Sequence, residues 1–319
     1  MVSNKLRTIA LFAGCGGLAC GFRNAGFDIV AAFENWDAAL MVFQQNFPTT
    51  SVFKQDLEEL NDDYDVFRQF HPDLIIGGPP CQDYSHAGKR NEELGRADLT
   101  VSFASIVVNV RPQWFVMENV DRIQKSKRLP ICLSMYRAAG YGLTEQVLNA
   151  SLCGVPQARK RYFLVGHLGG SDGFLSDYLR SNLSKKPTTV RDYLGDSLGV
   201  NYYYRHPRNY SRRAVFGLDE PSPTIRGVNR PIPKNYVGHP GDAAPISSNV
   251  RPLTTIERSY IQTFPRDYIF DSSKTNLEQM IGNAVPVKLA EYVGRCLSKY
   301  INDTTSEDKR QNGQLALLI

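Results

Sequence analysis

The chain has 319 residues, of which 42% are hydrophobic and 22% are charged, and this is the range of a soluble globular protein. It contains no apolar run of roughly 18 residues, which argues against a membrane-spanning helix. Its polar, basic start predicts a cytoplasmic protein and not a secreted one. The net charge of +5 is compatible with a polyanionic partner but does not require one.

Segments typical of strands alternate with segments typical of helices through the first half of the chain. In chain order the predicted elements are strand 8–12, helix 18–25, strand 29–33, helix 37–47, strand 74–76, helix 101–110, strand 114–117, helix 129–139, a strand around 147 and strand 162–165. Strands that alternate with helices favour an α/β fold with a parallel, doubly wound sheet.

The pattern changes between about 169 and 249, where Gly, Pro, Asn, Tyr and Arg dominate and proline often interrupts the chain. This composition predicts a separate module that is irregular or β-rich. Helices are predicted again at 254–262 and 287–300, and the polar residues after about 302 are expected to fray. The predicted organisation is a large domain of residues 1–168 plus 266–319 and a smaller domain of residues 169–265.

The first predicted strand leads into Phe-Ala-Gly-Cys-Gly-Gly-Leu at 12–18, which opens the first helix. Glycines at such a turn let the backbone approach a ligand beside the outward-pointing amides of the helix. Glu34 lies at the end of the second strand and could accept hydrogen bonds from ribose. Asp56 ends a further short strand, predicted between helix 37–47 and strand 74–76, and could bind an adenine amine. Either acid alone is as typical of a helix cap or a solvated loop as it is of a nucleoside site. Together the three features predict a nucleoside site.

Cys81 lies in a rigid turn directly after the predicted strand 74–76, within Gly-Pro-Pro-Cys-Gln. Ligands of doubly wound sheets sit beyond the carboxyl ends of the strands, so this placement favours a reactive thiol. The remaining cysteines form neither a C-x-x-C pair nor a group with zinc spacing, so no disulfide and no metal site is predicted. These cysteines are Cys15, Cys20, Cys132, Cys153 and Cys296.

Three charged groups follow later in the chain. Glu118 ends another strand, so its carboxyl would face the same cleft as Cys81 and could act as an acid. Arg159 and Arg161 alternate before a further strand and would share one face, although such a pair is as typical of a basic surface patch. Between 202 and 230, six arginines are interleaved with tyrosines, a composition typical of a nucleic-acid surface and equally of a solvated loop.

Motifs in this order resemble those of the DNA (cytosine-5)-methyltransferases, over residues 9 to about 297. They are Phe-Ala-Gly-Cys-Gly-Gly at 12–17, Gly-Pro-Pro-Cys-Gln at 78–82, Glu-Asn-Val at 118–120, Gln-Ala-Arg-Lys-Arg at 157–161, Arg-x-Leu-Thr at 251–254 with Gln-x-Phe-Pro at 262–265, and Gly-Asn-Ala-Val-Pro at 282–286. The resemblance implies a Rossmann-like methyltransferase domain with a smaller target-recognition domain. It also implies methyl transfer from S-adenosylmethionine to carbon 5 of a flipped-out cytosine, with S-adenosylhomocysteine as product.

The resemblance further implies roles for individual residues. Cys81 would attack carbon 6 of cytosine, and Glu118 would contact N3 and the exocyclic amine and supply the N3 proton. Arg161 would contact O2, with Arg159 and Gln157 supporting the site. The implied cofactor-binding residues are Phe12, Ala13, Gly14, Gly16, Gly17, Leu18, Glu34, Asn35, Trp36, Asp56, Leu57, Pro80, Leu99, Asn283 and Val285. The implied DNA-binding residues are Ser85, Lys89, Arg90, Gln157, Arg205, Arg208, Arg212, Arg213, Arg226, Asn229 and Arg230.

Two positions depart from the family's usual pattern. Asn35 separates Glu34 from Trp36, so either Glu34 or Asn35 could meet the ribose. Leu99 stands in Asp-Leu-Thr where an Arg-Gly-x-Leu-like pattern is usual, which puts its cofactor contact in doubt.

The smaller region occupies the position of the family's target-recognition domain, and its arginines favour a specific, GC-rich site in duplex DNA. The short chain resembles a monomeric bacterial or phage enzyme that is paired in function with a restriction endonuclease. Three alternatives remain at this point. They are a tRNA cytosine methyltransferase, a non-catalytic DNA-binding relative and, from the first Gly-rich turn alone, a dinucleotide oxidoreductase.

Overall fold

The computed structural model describes residues 5–58, 63–80, 99–209, 211–246 and 249–316. The strands are β1 Arg7–Leu11, β2 Asp28–Glu34, β3 Ser51–Lys54, β4 Leu74–Gly77, β5 Trp114–Val120, β6 Tyr141–Asn149, β7 Gln157–Ala158, β8 Lys160–Leu168, β9 Tyr202–Tyr204, β10 Val215–Gly217, β11 Ser222–Pro223 and β12 Arg251–Pro252. The α-helices are α1 Gly17–Asn24, α2 Asp37–Asn46, α3 Asp65–Arg68, α4 Leu99–Val110, α5 Arg128–Ala138, α6 Ser176–Ser181, α7 Val190–Leu194, α8 Thr255–Ile261, α9 Lys274–Asn283 and α10 Val287–Ala316. None of these helices is both long and apolar enough to cross a membrane.

A seven-stranded sheet has the strand order β3-β2-β1-β4-β5-β8-β6. β1 to β5 run parallel, and β8 runs antiparallel to both of its neighbours, β5 and β6. The order reverses between β1 and β4, and their carboxyl ends lie at one edge, which is where such sheets bind ligands. The predicted doubly wound α/β fold is therefore confirmed.

Helices cover both faces of this sheet. Along β4, Leu74 and Ile76 pack into the core formed with α1, α2 and α10, whereas Ile75 packs into the core formed with α3, α4 and α5. Consecutive side chains of a strand point to opposite faces, so a strand that is buried on both sides is apolar throughout. This double burial explains why β4 is recognisable in the sequence as one short apolar run.

The helix α10 packs closely against α1. A Cβ added to Gly21 would lie 2.4 Å from the Cβ of Ala290, so only glycine permits this approach. The helix continues to Ala316, and the expectation of fraying after about 302 is therefore wrong. Side chains near this point stabilise the extension, since Asp303 accepts a hydrogen bond from the Tyr178 hydroxyl at 2.9 Å.

The region between β8 and α8 consists of short elements joined by irregular segments, as its composition predicts. β9 pairs with β10 and β12 in a three-stranded sheet, and β11 pairs in parallel with β7. The second pairing places the segment after β11 directly beside the strand that leads into β8. The smaller region is thus joined by main-chain pairing to β7, the short strand that directly precedes β8 of the main sheet.

His167 lies on β8, opposite the first residue of β5 and away from the carboxyl ends of the parallel strands. Its ring stacks on Trp114 with the ring centroids 3.8 Å apart. Its Nδ1 is buried and has no hydrogen-bond partner among the described residues. Burial lowers the pKa of His167, because the protonated ring would lose its hydration.

We expect this histidine to destabilise the fold in mild acid. Below about pH 6.5 the unfolded chain takes up the proton before the folded chain does, so stability falls as the pH falls. The substitution His167→Phe keeps the stacked ring and removes the titration. Between pH 7.5 and 5.0, the Tm of the variant in thermal unfolding should fall by about 2–4 °C less than the Tm of the wild type. The exposed His71→Gln serves as the control, and parallel pH curves for all three proteins would contradict the assignment.

Candidate active site and nucleic-acid interface

The backbone between β1 and α1 turns through left-handed conformations at Phe12, with φ 51°, and at Gly14, with φ 53°. Such a conformation is strained for a residue with a side chain, so Phe12 is held there by its surroundings. A Cβ added to Gly14 would meet no described atom within 4 Å. The turn therefore presents open backbone surface at the carboxyl end of β1.

Glu34 closes one side of this turn. Its carboxylate accepts hydrogen bonds from the amides of Gly14 at 2.7 Å, Asn35 at 2.9 Å and Trp36 at 2.9 Å. The Asn35 side chain instead donates to Asp56 at 2.7 Å. Glu34 is therefore the acid beside the Gly-rich turn, and Asn35 is tied to the acid that follows β3.

The other residues expected at the cofactor differ in burial. Gly16, Gly17 and Leu18 are buried, and a Cβ added to Gly17 would lie 2.4 Å from the carbonyl oxygen of Val285. This contact brings the turn at 282–286 beside the first motif, as expected. Leu57 is also buried. The partly or fully exposed members are Phe12, Ala13, Gly14, Glu34, Asn35, Trp36, Asp56, Pro80, Leu99 and Asn283.

Glu118 and Arg161 meet at the carboxyl end of β5. Val120 lies opposite Arg161 in the antiparallel register, so Glu118 and Arg161 are diagonal neighbours on one face of the sheet. The Nε of Arg161 lies 2.8 Å from the Oε1 of Glu118, and the side chains are 14% and 10% exposed. Burial raises the pKa of Glu118, although the charges of Arg161 and Arg159 act in the opposite direction. The carboxyl group therefore holds a proton more readily than an exposed glutamate.

Arg159 and Gln157 are buried behind this pair. The guanidinium of Arg159 donates to the carbonyl oxygens of Ile225 at 2.9 Å and Gly282 at 3.2 Å, so it is directed at the main chain. The amide of Gln157 donates to Gln262 at 2.7 Å and accepts from the Ile225 amide at 2.9 Å. Gln157 is fully buried. It thus has no surface open to DNA, and support of Arg159 is the role that we propose for it.

The turn after β4 lies against the pair. A Cβ added to Gly78 would lie 3.0 Å from the Oε2 of Glu118, and the Asn119 side chain donates to the carbonyl oxygen of Pro79 at 3.2 Å. The chain therefore passes the acid immediately before position 81. The expected nucleophile and three expected DNA contacts lie outside the described residues. They are Cys81, Ser85, Lys89 and Arg90.

The cysteines that the structure describes are all buried and free. Burial raises the pKa of Cys15, Cys132 and Cys153 to about 12 and that of Cys296 to about 11, and it also raises the pKa of Cys20. A thiol must ionise to act as a nucleophile, so none of these five suits that role near neutral pH.

The Glu118–Arg161 pair matches one edge of cytosine. That edge presents two acceptors, O2 and N3, followed by the donor amine. A guanidinium beside a protonated carboxyl group matches this order. The guanidinium N–H can donate to O2, the carboxyl O–H can donate to N3, and the carboxyl C=O can accept from the amine. Thymine and uracil carry a donor at N3 and an acceptor at position 4, so they do not match. The pair can therefore hold an extruded cytosine and protonate its N3.

Comparisons with known proteins agree with this chemistry. The sequence model of the C-5 cytosine-specific DNA methylases matches residues 6–299. The chain belongs to this family. It is 55% identical over 296 residues to the type II methyltransferase M.HindV of Haemophilus influenzae, covering 92% of this chain and 97% of the relative. It is 54% identical over 297 residues to the type II methyltransferase M.HgiDI of Herpetosiphon aurantiacus, covering 93% and 96%.

The solved structures agree on the fold. The Dnmt2 methyltransferase of S. pombe superposes with a TM-score of 0.70 at 18% identity, over 94% of this chain and 100% of that one. The protein is therefore a DNA (cytosine-5)-methyltransferase of the restriction–modification type, with the methyltransferase fold. Enzymes of this family use S-adenosylmethionine.

Several of the residues expected to contact DNA are tied within the enzyme. Arg205 and Arg226 donate to main-chain carbonyl oxygens, and Arg213 pairs with Glu220. The Asn229 side chain donates to the carbonyl oxygen of residue 253 at 2.8 Å. These contacts hold the segment 224–230, hereafter the recognition segment, against the rest of the chain, and they leave less of each side chain for DNA.

The other expected arginines are exposed. Arg208, Arg212 and Arg230 lie at the surface. Partial burial and the charges of Arg212 and Arg122 lower the pKa of Arg208, which indicates a locally positive potential. Arg122 lies in the turn directly after β5, and nothing in its local sequence distinguishes it from an ordinary surface arginine. Positive charge thus extends from the catalytic strand to the smaller region.

A buried ion pair beneath the recognition segment was also missed. Arg258 of α8 pairs with Glu278 of α9, with side chains 5% and 7% exposed. Arg258 also donates to the carbonyl oxygen of Arg226, and Asn229 donates to Glu278 at 3.2 Å. Nothing in the local sequence distinguishes these two residues from the ordinary surface charges of helices.

We expect Gly14→Ala to weaken cofactor binding selectively. The positive φ makes any side chain there cost about 1–2 kcal/mol, and the added methyl group would enter the open surface of the turn. The affinity for S-adenosylhomocysteine, measured by calorimetry, should fall about tenfold or more. Gly26→Ala is the matched control, because Gly26 also has positive φ and free space around its Cα. Equal affinities of the two variants would exclude Gly14 from the cofactor site.

Salt dependence should separate the exposed arginines from the anchored ones. Each phosphate contact contributes about 0.9 to the slope of log affinity against log salt. We expect Arg208→Gln to lower this slope by about that amount in fluorescence titrations with duplex DNA. Arg213→Gln should leave the slope unchanged, since the partner of Arg213 is Glu220. A slope near zero in the wild type would refute a phosphate-binding cleft.

Proposed function

We propose that the enzyme methylates carbon 5 of a cytosine extruded from a short, specific duplex site, with Cys81, Glu118 and Arg161 as the catalytic groups. The observation that carries this proposal is the buried Glu118–Arg161 pair, whose atoms lie 2.8 Å apart at the carboxyl end of β5. Its donors and acceptor match the Watson–Crick edge of cytosine. The described turn that leads to position 81 lies against the same carboxyl group.

The Gly-rich turn and the acids after β2 and β3 fit S-adenosylmethionine. Gly14 offers an open backbone surface, Glu34 lies beside it for the ribose, and Asp56 follows the next strand for the adenine amine. Glu34 would exchange some of its hydrogen bonds with main-chain amides for bonds to ribose hydroxyls. When bound, S-adenosylmethionine supplies an electrophilic methyl group.

The protein's own side chains make carbon 5 reactive. Carbon 5 of cytosine is a poor nucleophile until a group adds at carbon 6. Glu118 in its protonated form donates to N3 while Arg161 donates to O2, and both draw electrons away from carbon 6. The Cys81 thiolate can then add to carbon 6, which turns carbon 5 into an enamine-like nucleophile. After methylation, a base such as water takes the carbon 5 proton, the bond between carbon 6 and sulfur breaks to release the Cys81 thiolate, and N3 returns its proton to the Glu118 carboxylate, which restores the aromatic ring.

The two-part organisation suits one enzyme acting on one strand at a time. We assign residues 1–168 and 266–319 to catalysis and residues 169–265 to target recognition, with duplex DNA in the cleft between them. Arginines on both sides of this cleft favour a GC-rich site. A monomer would suffice, and methylation would protect the site from a cognate endonuclease without a stable complex with it.

Methylation of mixed-sequence duplex DNA with labelled S-adenosylmethionine tests the proposal, with bisulfite sequencing to locate the product. We expect label in 5-methylcytosine at one short site and none with Cys81→Ala. Glu118→Gln can imitate the hydrogen bonds of the carboxyl group but cannot deliver its proton, so kcat should fall by about 10²- to 10⁴-fold. Wild-type kcat should decline as the pH rises past the raised pKa of Glu118, because the protonated form is required.

Glu145→Gln is the matched control, since Glu145 accepts from Tyr162 on the exposed side of β6 and should not affect kcat. The affinity for S-adenosylhomocysteine should stay within about twofold in all of these variants. Label retained by Cys81→Ala would refute the nucleophile. Label in tRNA but not in DNA would favour the RNA alternative, and label in neither would leave a binding protein.

A further inference from the structure

The recognition segment is held by the strand that leads to the catalytic arginine. The amide of Ile225 donates to the Oε1 of Gln157 at 2.9 Å, and its carbonyl oxygen accepts from Arg159 at 2.9 Å. Gln157 and Arg159 are two residues apart, and Arg161 is the next member of the same alternation. Both polar main-chain atoms of Ile225 are therefore fixed relative to Arg161.

Gln262, at the end of α8, holds Gln157 from the other side. Its Oε1 accepts from Gln157 at 2.7 Å, and its Nε2 donates to the carbonyl oxygens of Ile281 at 2.6 Å and Ala284 at 3.0 Å. The side chain is fully buried. Because both of its N–H groups and its oxygen are engaged, only an amide of this length satisfies all three partners.

Of the two carbonyl groups bound by Gln262, that of Ile281 directly precedes the turn at 282–286 and that of Ala284 lies within it. This turn touches both ligand-binding parts. On one side, a Cβ added to Gly17 would lie 2.4 Å from the carbonyl oxygen of Val285, so the turn lies directly against the Gly-rich turn. On the other side, a Cβ added to Gly282 would lie 2.2 Å from the backbone of Arg226. Any shift of this turn must therefore displace the Gly-rich turn, the recognition segment or both.

We propose that Gln262 is a positioning residue that couples DNA binding by the recognition segment to cofactor binding at the Gly-rich turn. The inference rests on the proposed function, because it assumes that these two parts bind DNA and cofactor. One buried amide connects Ile225, through Gln157, with the turn at 282–286. Occupation of either ligand site favours the arrangement that the other site needs, and the coupling must be equal in both directions.

The test compares S-adenosylhomocysteine affinity, measured by calorimetry, without and with a saturating duplex that carries the site methylated by the wild type. We expect the duplex to tighten binding by about fivefold or more in the wild type. Gln262→Met keeps the length of the side chain but lacks the amide. In this variant the ratio of the affinity measured with the duplex to the affinity measured without it should fall to within about twofold of one. Gln113→Met should keep the wild-type ratio, because the Gln113 amide donates to the carbonyl oxygen of Leu168 at an exposed site.

A second variant removes the same bond from the DNA side. Gln157→Met leaves the bonds of Gln262 to Ile281 and Ala284 intact. It should therefore lower the ratio while leaving cofactor affinity without DNA within about twofold of the wild type. The double variant should show no further loss of coupling than Gln262→Met. If Gln262→Met fails to unfold cooperatively, Gln157→Met carries the test alone.

The outcomes are distinguishable. A wild-type ratio in folded Gln262→Met, accompanied only by a lower Tm, would show a purely structural role and overturn the proposal. A ratio of one in the wild type would overturn it as well. Failure of the wild type to methylate any duplex would refute the proposed function instead, and the methylation assay reports that result separately.

Discussion

A carboxyl group buried at the end of a central strand is unstable as an anion unless a cation or a proton accompanies it. Glu118 meets this condition through Arg161, and the surroundings of both follow from it. A side chain at position 78 would crowd this pair, because a Cβ would lie 3.0 Å from the Oε2 of Glu118. Asn119 holds the next residue of the same turn through the carbonyl oxygen of Pro79. The burial of one carboxyl group away from water thus fixes the path of the chain just before Cys81.

The sheet makes two ligand sites possible at the same edge. β1, β2 and β3 end at the Gly-rich turn and its acids, and β4 and β5 end at the catalytic pair. The reversal of strand order between β1 and β4 opens the space between the two sites. The turn at 282–286, from the other end of the sequence, lies against the Gly-rich turn at Val285, and its Gly282 carbonyl oxygen accepts a hydrogen bond from Arg159, which is buried behind the Glu118–Arg161 pair. A methyl donor and a methyl acceptor can therefore meet without either site being rebuilt.

The sequence predicts the main sheet well, because its strands are apolar runs that end in recognisable ligand-type residues such as Glu34 and Glu118. It predicts the partners of the charged residues poorly. Arg213 and Arg208 look alike in the sequence, yet only the fold brings Arg213 to Glu220. Gln157 was assigned to DNA for the same reason, since a fully buried glutamine cannot be distinguished by its neighbours in the chain. Gln262 lies within the Gln-x-Phe-Pro motif, but its role follows only from its three partners in the fold.

The way in which the recognition segment is held bears on how such an enzyme can change its target. Gln157 and Arg159 bind the amide and the carbonyl of Ile225, and Arg258 binds the carbonyl of Arg226. Main-chain atoms are the same in every residue except proline, so these three bonds do not depend on the side chains at 225 and 226, although the side chains of Arg226 and Asn229 also hold the segment. Exposed positions such as 228 and 230 can therefore change while the segment keeps its register against the catalytic strand. On the function proposed above, target specificity can vary on this scaffold without disturbing the Glu118–Arg161 pair.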